Sequence, residues 1–226
     1  VMEIILLVLL GFAGGFFTSK KYQERKYAVH IGEQIVNDVL NVSLSDNDYA
    51  LLSNVTLPVL DKNYVEGTSQ VDHILISSRG LFVIETKFYS GSIVGTADSK
   101  IWYQYTSFDK HTFQNPIRQN FSHLKAIEAI TEYSHDEMIN VVSFSGDAEF
   151  KSERPTGVVK SNELRGYIES FPRDALSKDE VYRLAGQLQV HRLPETDVTD
   201  IKHVGYLNEK HGIKRKADIY NNKRAV

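Results

Sequence analysis

Apolar positions along this chain change period several times, and each change marks an element. Residues 4 to 17 read IILLVLLGFAGGFF, apolar on every side, and charge returns at once with Lys20, Lys21, Arg25 and Lys26. A membrane span takes about 20 apolar residues, so this run sits near the short limit. Only Glu3 carries charge before it, and no small-x-small cleavage site follows, which argues against a cleaved signal peptide. The expectation is an uncleaved membrane anchor helix over residues 1–19 and a basic linker over 20–27. A hydrophobic helix docked on the domain is the alternative. Because the basic residues follow the run, the positive-inside rule places the rest of the chain in the cytoplasm, on a single-pass protein of the inner (cytoplasmic) membrane.

From residue 28 the pattern is that of a globular domain. Ile31, Ile35 and Val39, with Val36 and Leu40 beside them, have helical spacing over 28–40, and Glu33 lies on the flank of that stripe. A strand is predicted over 49–57, ended by Pro58. The runs VDHILIS (71–77) and LFVIETK (81–87) flank a tight loop with Gly80, which predicts a hairpin. Both its faces are apolar, so it belongs in the middle of a covered sheet. A second hairpin is predicted from 91–95 and 101–105. Asn115-Pro116 then opens a helix, with a cap residue before proline at the first helical position. Its predicted buried stripe is Ile117, Phe121, Leu124, Ile127 and Ile130. Strands over 139–144 and 156–159 and helices over 161–170, 177–190 and 197–211 follow. The helix over 177–190 begins Ser177-Lys178-Asp179-Glu180, the spacing of a capping box. This order predicts an α/β fold, a mixed central β-sheet flanked by helices and preceded by the N-terminal hydrophobic helix.

Composition excludes more than it selects. The 226 residues are 42% hydrophobic and 24% charged, enough to bury a normal core, and the net charge is only −3. The absence of cysteine removes disulfides, thiolate metal sites and a thiol nucleophile. There is no phosphate-binding loop of the ATPase type, no dinucleotide glycine fingerprint and no GxSxG elbow, so ATP-driven, redox and serine-hydrolase chemistries lack support. Charge is uneven, however. Residues 202–226 hold seven Lys/Arg against two Asp/Glu. Such a basic tail suits phosphate, suits anionic lipid beside an anchor, and also suits a merely solubilising end.

The hairpin concentrates the chemistry. If Ile76 faces Leu81 and Ile74 faces Val83, then Asp72 faces Glu85 on the same side of the sheet, and Lys87 shares that side. Like charges directly opposite destabilise a strand pair, and a divalent cation with oxygen ligands offsets them. Mg²⁺ suits one or two carboxylates plus phosphate oxygens and water, and a lysine beside it can neutralise charge building on phosphate. The competing reading is that both acids merely end strands and pair with Lys87. On these three residues alone the two readings stand level.

The surroundings add a family likeness. The string VDHILISSRGLFVIETKFYSGSIVG (71–95), with Trp102 and then FQNPIRQN (113–120) beyond it, resembles the NERD (nuclease-related domain) family, itself similar to the PD-(D/E)xK nuclease superfamily. The matching elements are Gly32-Glu33, Asp72, Glu85-Thr86-Lys87, Gly91, Trp102, Asn115-Pro116 and Gln119, and the likeness covers 28–145. It implies a restriction-endonuclease-like core over 28–145, completed by a strand and helices over 146–201 and followed by the basic tail over 202–226. It also implies roles. Asp72, Glu85 and Glu33 would hold Mg²⁺ or Mn²⁺, Lys87 would position the attacking water, and Gln119 would point a polar group at the site. The implied activity is hydrolysis of DNA phosphodiester bonds by metal-activated water in a membrane-anchored bacterial-type protein. The alternative is a non-catalytic, membrane-tethered nucleic-acid-binding or adaptor module with the same fold. A structural partner of another membrane protein is a third reading. Glu33 equally reads as a solvated helix residue and Gln119 as a cap. Trp102 reads first as core, His73 as core or backbone-bonding, and His123, one turn past Gln119, as a weaker site residue.

Overall fold

In a computed structural model, residue 27 and residues 30–41, 49–60 and 66–210 are described. The expected anchor over 1–19, the linker up to residue 26, and residues 211–226 of the tail lie outside these. No described helix is long and apolar enough to cross a membrane.

The elements in chain order are helix α1 (residues 30–41), β1 (Tyr49–Leu60), β2 (Glu66–Ser77), β3 (Gly80–Phe88), β4 (Gly91–Val94), β5 (Ile101–Tyr105), β6 (Lys110–Gln114), α2 (Pro116–Thr131), β7 (Ile139–Ser145), β8 (Ala148–Phe150), β9 (Val158–Lys160), α3 (Ser161–Glu169), α4 (Lys178–His191) and α5 (Asp197–Lys210). The strands form two mixed sheets rather than the one expected: a five-stranded sheet in the order β1-β2-β3-β7-β9 and a four-stranded sheet in the order β6-β5-β4-β8. Strands β6 and β8 escaped the sequence pattern because neither shows a clear apolar alternation. β9 pairs with β7 and β8 with β4, so residues beyond 145 complete both sheets.

The larger sheet is covered on both faces, as the apolar hairpin required. On one face Ile74, Ile76, Leu81 and Val83 pack against Leu124 and Ile127 of α2 and against Val181, Leu184 and Leu188 of α4. On the other, Leu75, Phe82 and Ile84 pack against Val36 and Leu40 of α1 and Leu164 and Ile168 of α3. The inner face of the smaller sheet is sealed by Ile93, Trp102 and Ala148 against Val142, Phe144 and Val158. Trp102 is fully buried, stacks on Phe144 and donates its indole N–H to Thr96 O at 2.9 Å. It is therefore core.

Two local readings of the sequence need correction, and one irregularity is added by the structure. β1 runs through Pro58, which pairs opposite Thr68; β1 is an edge strand, where a missing N–H is tolerated. Leu124 and Ile127 of the predicted α2 stripe are buried, but Phe121 is 46% exposed, and Asn120, His123 and Thr131 join the buried side. The reason is polar: the Asn120 amide donates to Val83 O at 2.7 Å and Val141 O at 3.1 Å, pinning the helix over the β3–β7 pair. Finally, the β1–β2 pair is irregular at its centre. Asn54 adopts a left-handed backbone (φ 50°) opposite Asp72, and the alternation slips there. Ala50 and Leu52 before it, and Val55, Leu57 and Val59 after it, all face the same core.

Candidate active site

The hairpin register is the expected one as far as it goes: Ile76 opposite Leu81, Ile74 opposite Val83, and His73 opposite Ile84. The ladder ends there. Beyond it β3 keeps only its pairing with β7, which runs from Phe82 to Phe88 and places Glu85 opposite Val142. The Asp72 carboxylate takes over the vacated backbone position, and its Oδ2 accepts from the Thr86 N–H at 2.7 Å. The strands thus splay where the two acids sit, and Asp72 and Glu85 line one cleft.

Lys87 closes the constellation. Its Nζ donates to Glu85 Oε1 at 2.5 Å and to Gln119 Oε1 at 3.0 Å. Gln119 is set there by the start of α2, where Asn115 caps the helix, accepting from Ile117 N at 2.9 Å and donating to Ser99 O at 2.7 Å. Glu85 Oε2 lies 3.3 Å from His123 Nε2, but the two atoms are not aligned for a hydrogen bond, and both are buried without a hydrogen-bond partner among the described residues. The other nitrogen of His123 is 2.7 Å from Ser69 Oγ. His123 therefore touches Glu85 directly. Its only sequence signal was its place one turn after Gln119, and Ser69 carried none.

Glu33 reaches the site from α1. Gly32 makes that approach feasible, because a Cβ there would lie 3.0 Å from Phe88 Cβ and 3.3 Å from a Thr86 methyl. Glu33 is half-buried and lines the same cleft, close enough for the charge on Glu85 to act on it. His73 faces away, fully buried, 3.4 Å from Thr86 Oγ1, and burial lowers its pKa to about 4, so the ring is neutral near pH 7. Across the cleft, α5 contributes His203, whose Nδ1 is 2.9 Å from Thr68 Oγ1.

The electrostatics are asymmetric. Burial works to raise the Glu85 pKa, but the Lys87 ammonium and then His123 outweigh it and hold Glu85 low. Asp72 is pushed well up, by burial first and then by the Glu85 charge. Glu33 is raised by burial, with Glu85 adding to it against His30. Burial opposes the Lys87 charge, yet Glu85 and Asp72 more than offset it and its pKa rises. At neutral pH the site therefore holds an ionised Glu85 and a protonated Lys87, with Asp72 reluctant to ionise beside them. Among the described residues, no three His, Asp or Glu side chains stand close enough to hold a metal ion by themselves.

The cleft is large, about 2620 Å³, against the roughly 300–1,000 Å³ typical of small-molecule sites. Its walls come from α1, β1, β2, β3, α2 and α5.

Comparison with known proteins matches residues 28–145 to the family model described as nuclease-related domain, NERD. An uncharacterized protein of Bacillus anthracis is 32% identical over 217 residues, covering 92% of this chain and 98% of that protein. No solved structure matches the chain.

Proposed function

Since the chain belongs to the NERD family, a PD-(D/E)xK-like nuclease-related domain, we propose that it hydrolyses DNA phosphodiester bonds with the help of a divalent cation, Mg²⁺ or Mn²⁺, at Asp72 and Glu85. One observation carries the reading. Among the described residues no hydrogen-bond donor is aligned to Glu85 Oε2, a buried carboxylate oxygen beside a second acid whose pKa is driven up. Unfilled acceptor capacity of this kind, in an oxygen-only pair of carboxylates, fits a hard cation. Two carboxylates are too few for a cage, but Mg²⁺ usually keeps several waters and takes oxygens from a phosphate. Glu33, which lines the same cleft, would add a further carboxylate toward it. When bound, the cation would supply Lewis acidity toward phosphate and lower the pKa of water.

The chain's own residues do the rest. An ammonium has three donors, and two of those on Lys87 are spent on Glu85 and Gln119. The third remains for a phosphate oxygen or for the attacking water. Because its pKa is raised, Lys87 acts as a donor and fixed positive charge rather than as a base. Gln119 fixes where that charge sits. Asp72, which lines the cleft, is held by the Thr86 N–H and so needs little reorganisation to act there. The membrane tether is proposed on sequence alone, from the apolar run of residues 4–17 and the basic residues after it.

The reading of a binding module without turnover also has an observation behind it: Lys87 already neutralises Glu85 without a metal. The deciding experiment incubates the full chain with labelled DNA in Mg²⁺ or in chelator, beside Asp72→Ala and Lys87→Ala. Cleavage should require Mg²⁺ and fall on the order of 100-fold or more in each variant. Equal cleavage by wild type and variants would assign it to a contaminant. Binding that survives chelation, with no cleavage in any condition, would favour the non-catalytic module.

A further inference from the structure

The smaller sheet has a face that the core does not use. In antiparallel pairs, residues directly opposite share a face. Trp102 and Phe113 face inward together, so the pairs Ile101–Gln114, Tyr103–Thr112 and Tyr105–Lys110 all face outward. No described helix makes more than marginal contact with β4, β5 or β6. On this open face the Tyr103 and Tyr105 rings lie 6.4 Å apart at 29° to each other. Lys110 Nζ sits 4.4 Å from one ring centre and 5.3 Å from the other. No acid among the described residues forms a salt bridge with it. In the turn between β5 and β6, Phe108 is 99% exposed.

This face runs into the cleft. Gln114, outward like the tyrosines, lines it at the end of β6. Near-parallel rings two residues apart on one strand, with a lysine ammonium over them, form a surface on which unpaired bases stack while the cation meets phosphate. Bases inside a duplex are already stacked on each other and cannot use it. Resting on the proposed nuclease reading, we infer that the outer face of β5–β6 is a track for single-stranded nucleic acid leading to the Asp72–Glu85 cleft. Tyr103, Tyr105 and Phe108 stack its bases and Lys110 contacts its backbone.

The test is binding of a short fluorescein-labelled oligothymidylate to the full chain in excess chelator, followed by anisotropy, so that cleavage plays no part. Tyr103→Ala and Tyr105→Ala should each weaken binding about 5-fold or more, and Tyr→Phe at either position should bind like wild type. Lys110→Met should lower the slope of log affinity against log salt by somewhat under about one. Phe108→Ala, at a side chain too exposed to matter for folding, should weaken binding in the same sense. A duplex of equal length should not respond to any ring variant. Wild-type affinity in Tyr103→Ala, Tyr105→Ala and Phe108→Ala together would overturn the inference, as would failure of the wild type to bind. Mg²⁺-dependent cleavage with ring-independent binding would sink the track and leave the nuclease reading standing. Ring-dependent binding without cleavage would do the reverse.

Discussion

Glu85 and Asp72 are neighbouring acids with opposite proton affinities, and the contrast follows from what surrounds each. Lys87 and His123 hold Glu85 down to about 2, from an ordinary value near 4.5. Asp72 is raised from its ordinary 3.8 by burial first and then by the Glu85 charge, against the Thr86 N–H and the Lys87 charge. Linkage turns these shifts into opposite pH dependences. Glu85 contributes stability that is complete above pH 4.5 and is lost as pH falls toward 2. Asp72 costs nothing in acid; its penalty grows as pH rises above its ordinary 3.8, where the unfolded chain ionises first, and is complete once pH reaches its elevated pKa. Asp72→Asn, whose carbonyl still accepts from Thr86 N–H, should therefore raise the melting temperature of the metal-free protein near pH 7. The gain should vanish near pH 3, and Glu85→Gln should do the opposite. A destabilisation by Asp72→Asn that is equal at both pH values would show that Asp72 is an ordinary structural acid.

At the level of elements, the site depends on an interruption. A regular β1–β2–β3 sheet would leave Asp72 in the ladder, facing Glu85 at fixed spacing. The left-handed Asn54 opposite Asp72 slips the alternation, and the side chain replaces a missing backbone bond at Thr86. Asn tolerates this conformation and is braced by Gln70, whose amide donates to Asn54 Oδ1 at 2.7 Å. Asn54→Val puts a β-branched residue at positive φ and should cost on the order of 1–3 kcal/mol, read from the denaturant midpoint, whereas Asn54→Gly should cost much less. Equal loss in both variants would mean that the side-chain bonds matter and the backbone conformation does not. This interruption also marks the limit of what the sequence discloses. Period-two apolarity located the β2–β3 hairpin and its register through Ile74 opposite Val83, and the Asn-Pro and Ser-x-x-Glu signals located the starts of α2 and α4. Nothing in the residue pattern announces a slip at Asn54, a strand continuing through Pro58, or a helix rotated by one buried asparagine. Those features arise from contacts between segments far apart in sequence. The burial of His123 against Glu85 follows from the same rotation of α2, so periodicity ranked it below its geometric importance.

Across the whole molecule the two sheets meet at the site. β3 delivers Glu85 and Lys87 and leads through Tyr89 and Ser90 straight into β4, while β7 leads through Gly146 into β8. The link is tied at two points: Tyr89 N–H donates to Ser145 O at 3.0 Å, and Gly91 N–H to Asp147 O at 3.2 Å. Gly91 is needed at that link, with φ 78° and the Tyr105 carbonyl oxygen 2.3 Å from where a Cβ would lie. The larger sheet, buried on both faces, gives the acids a rigid frame, and the smaller sheet leaves an open face beside them. The most direct measurement of the central claim is a calorimetric titration of Mg²⁺ into the full chain, compared with Asp72→Asn and Glu85→Gln. The account predicts one saturable site in the wild type, affinity that strengthens as pH rises because Asp72 must give up its proton, and at least about 10-fold weaker binding in either variant. Identical heats in all three proteins, or none in the wild type at millimolar Mg²⁺, would contradict it.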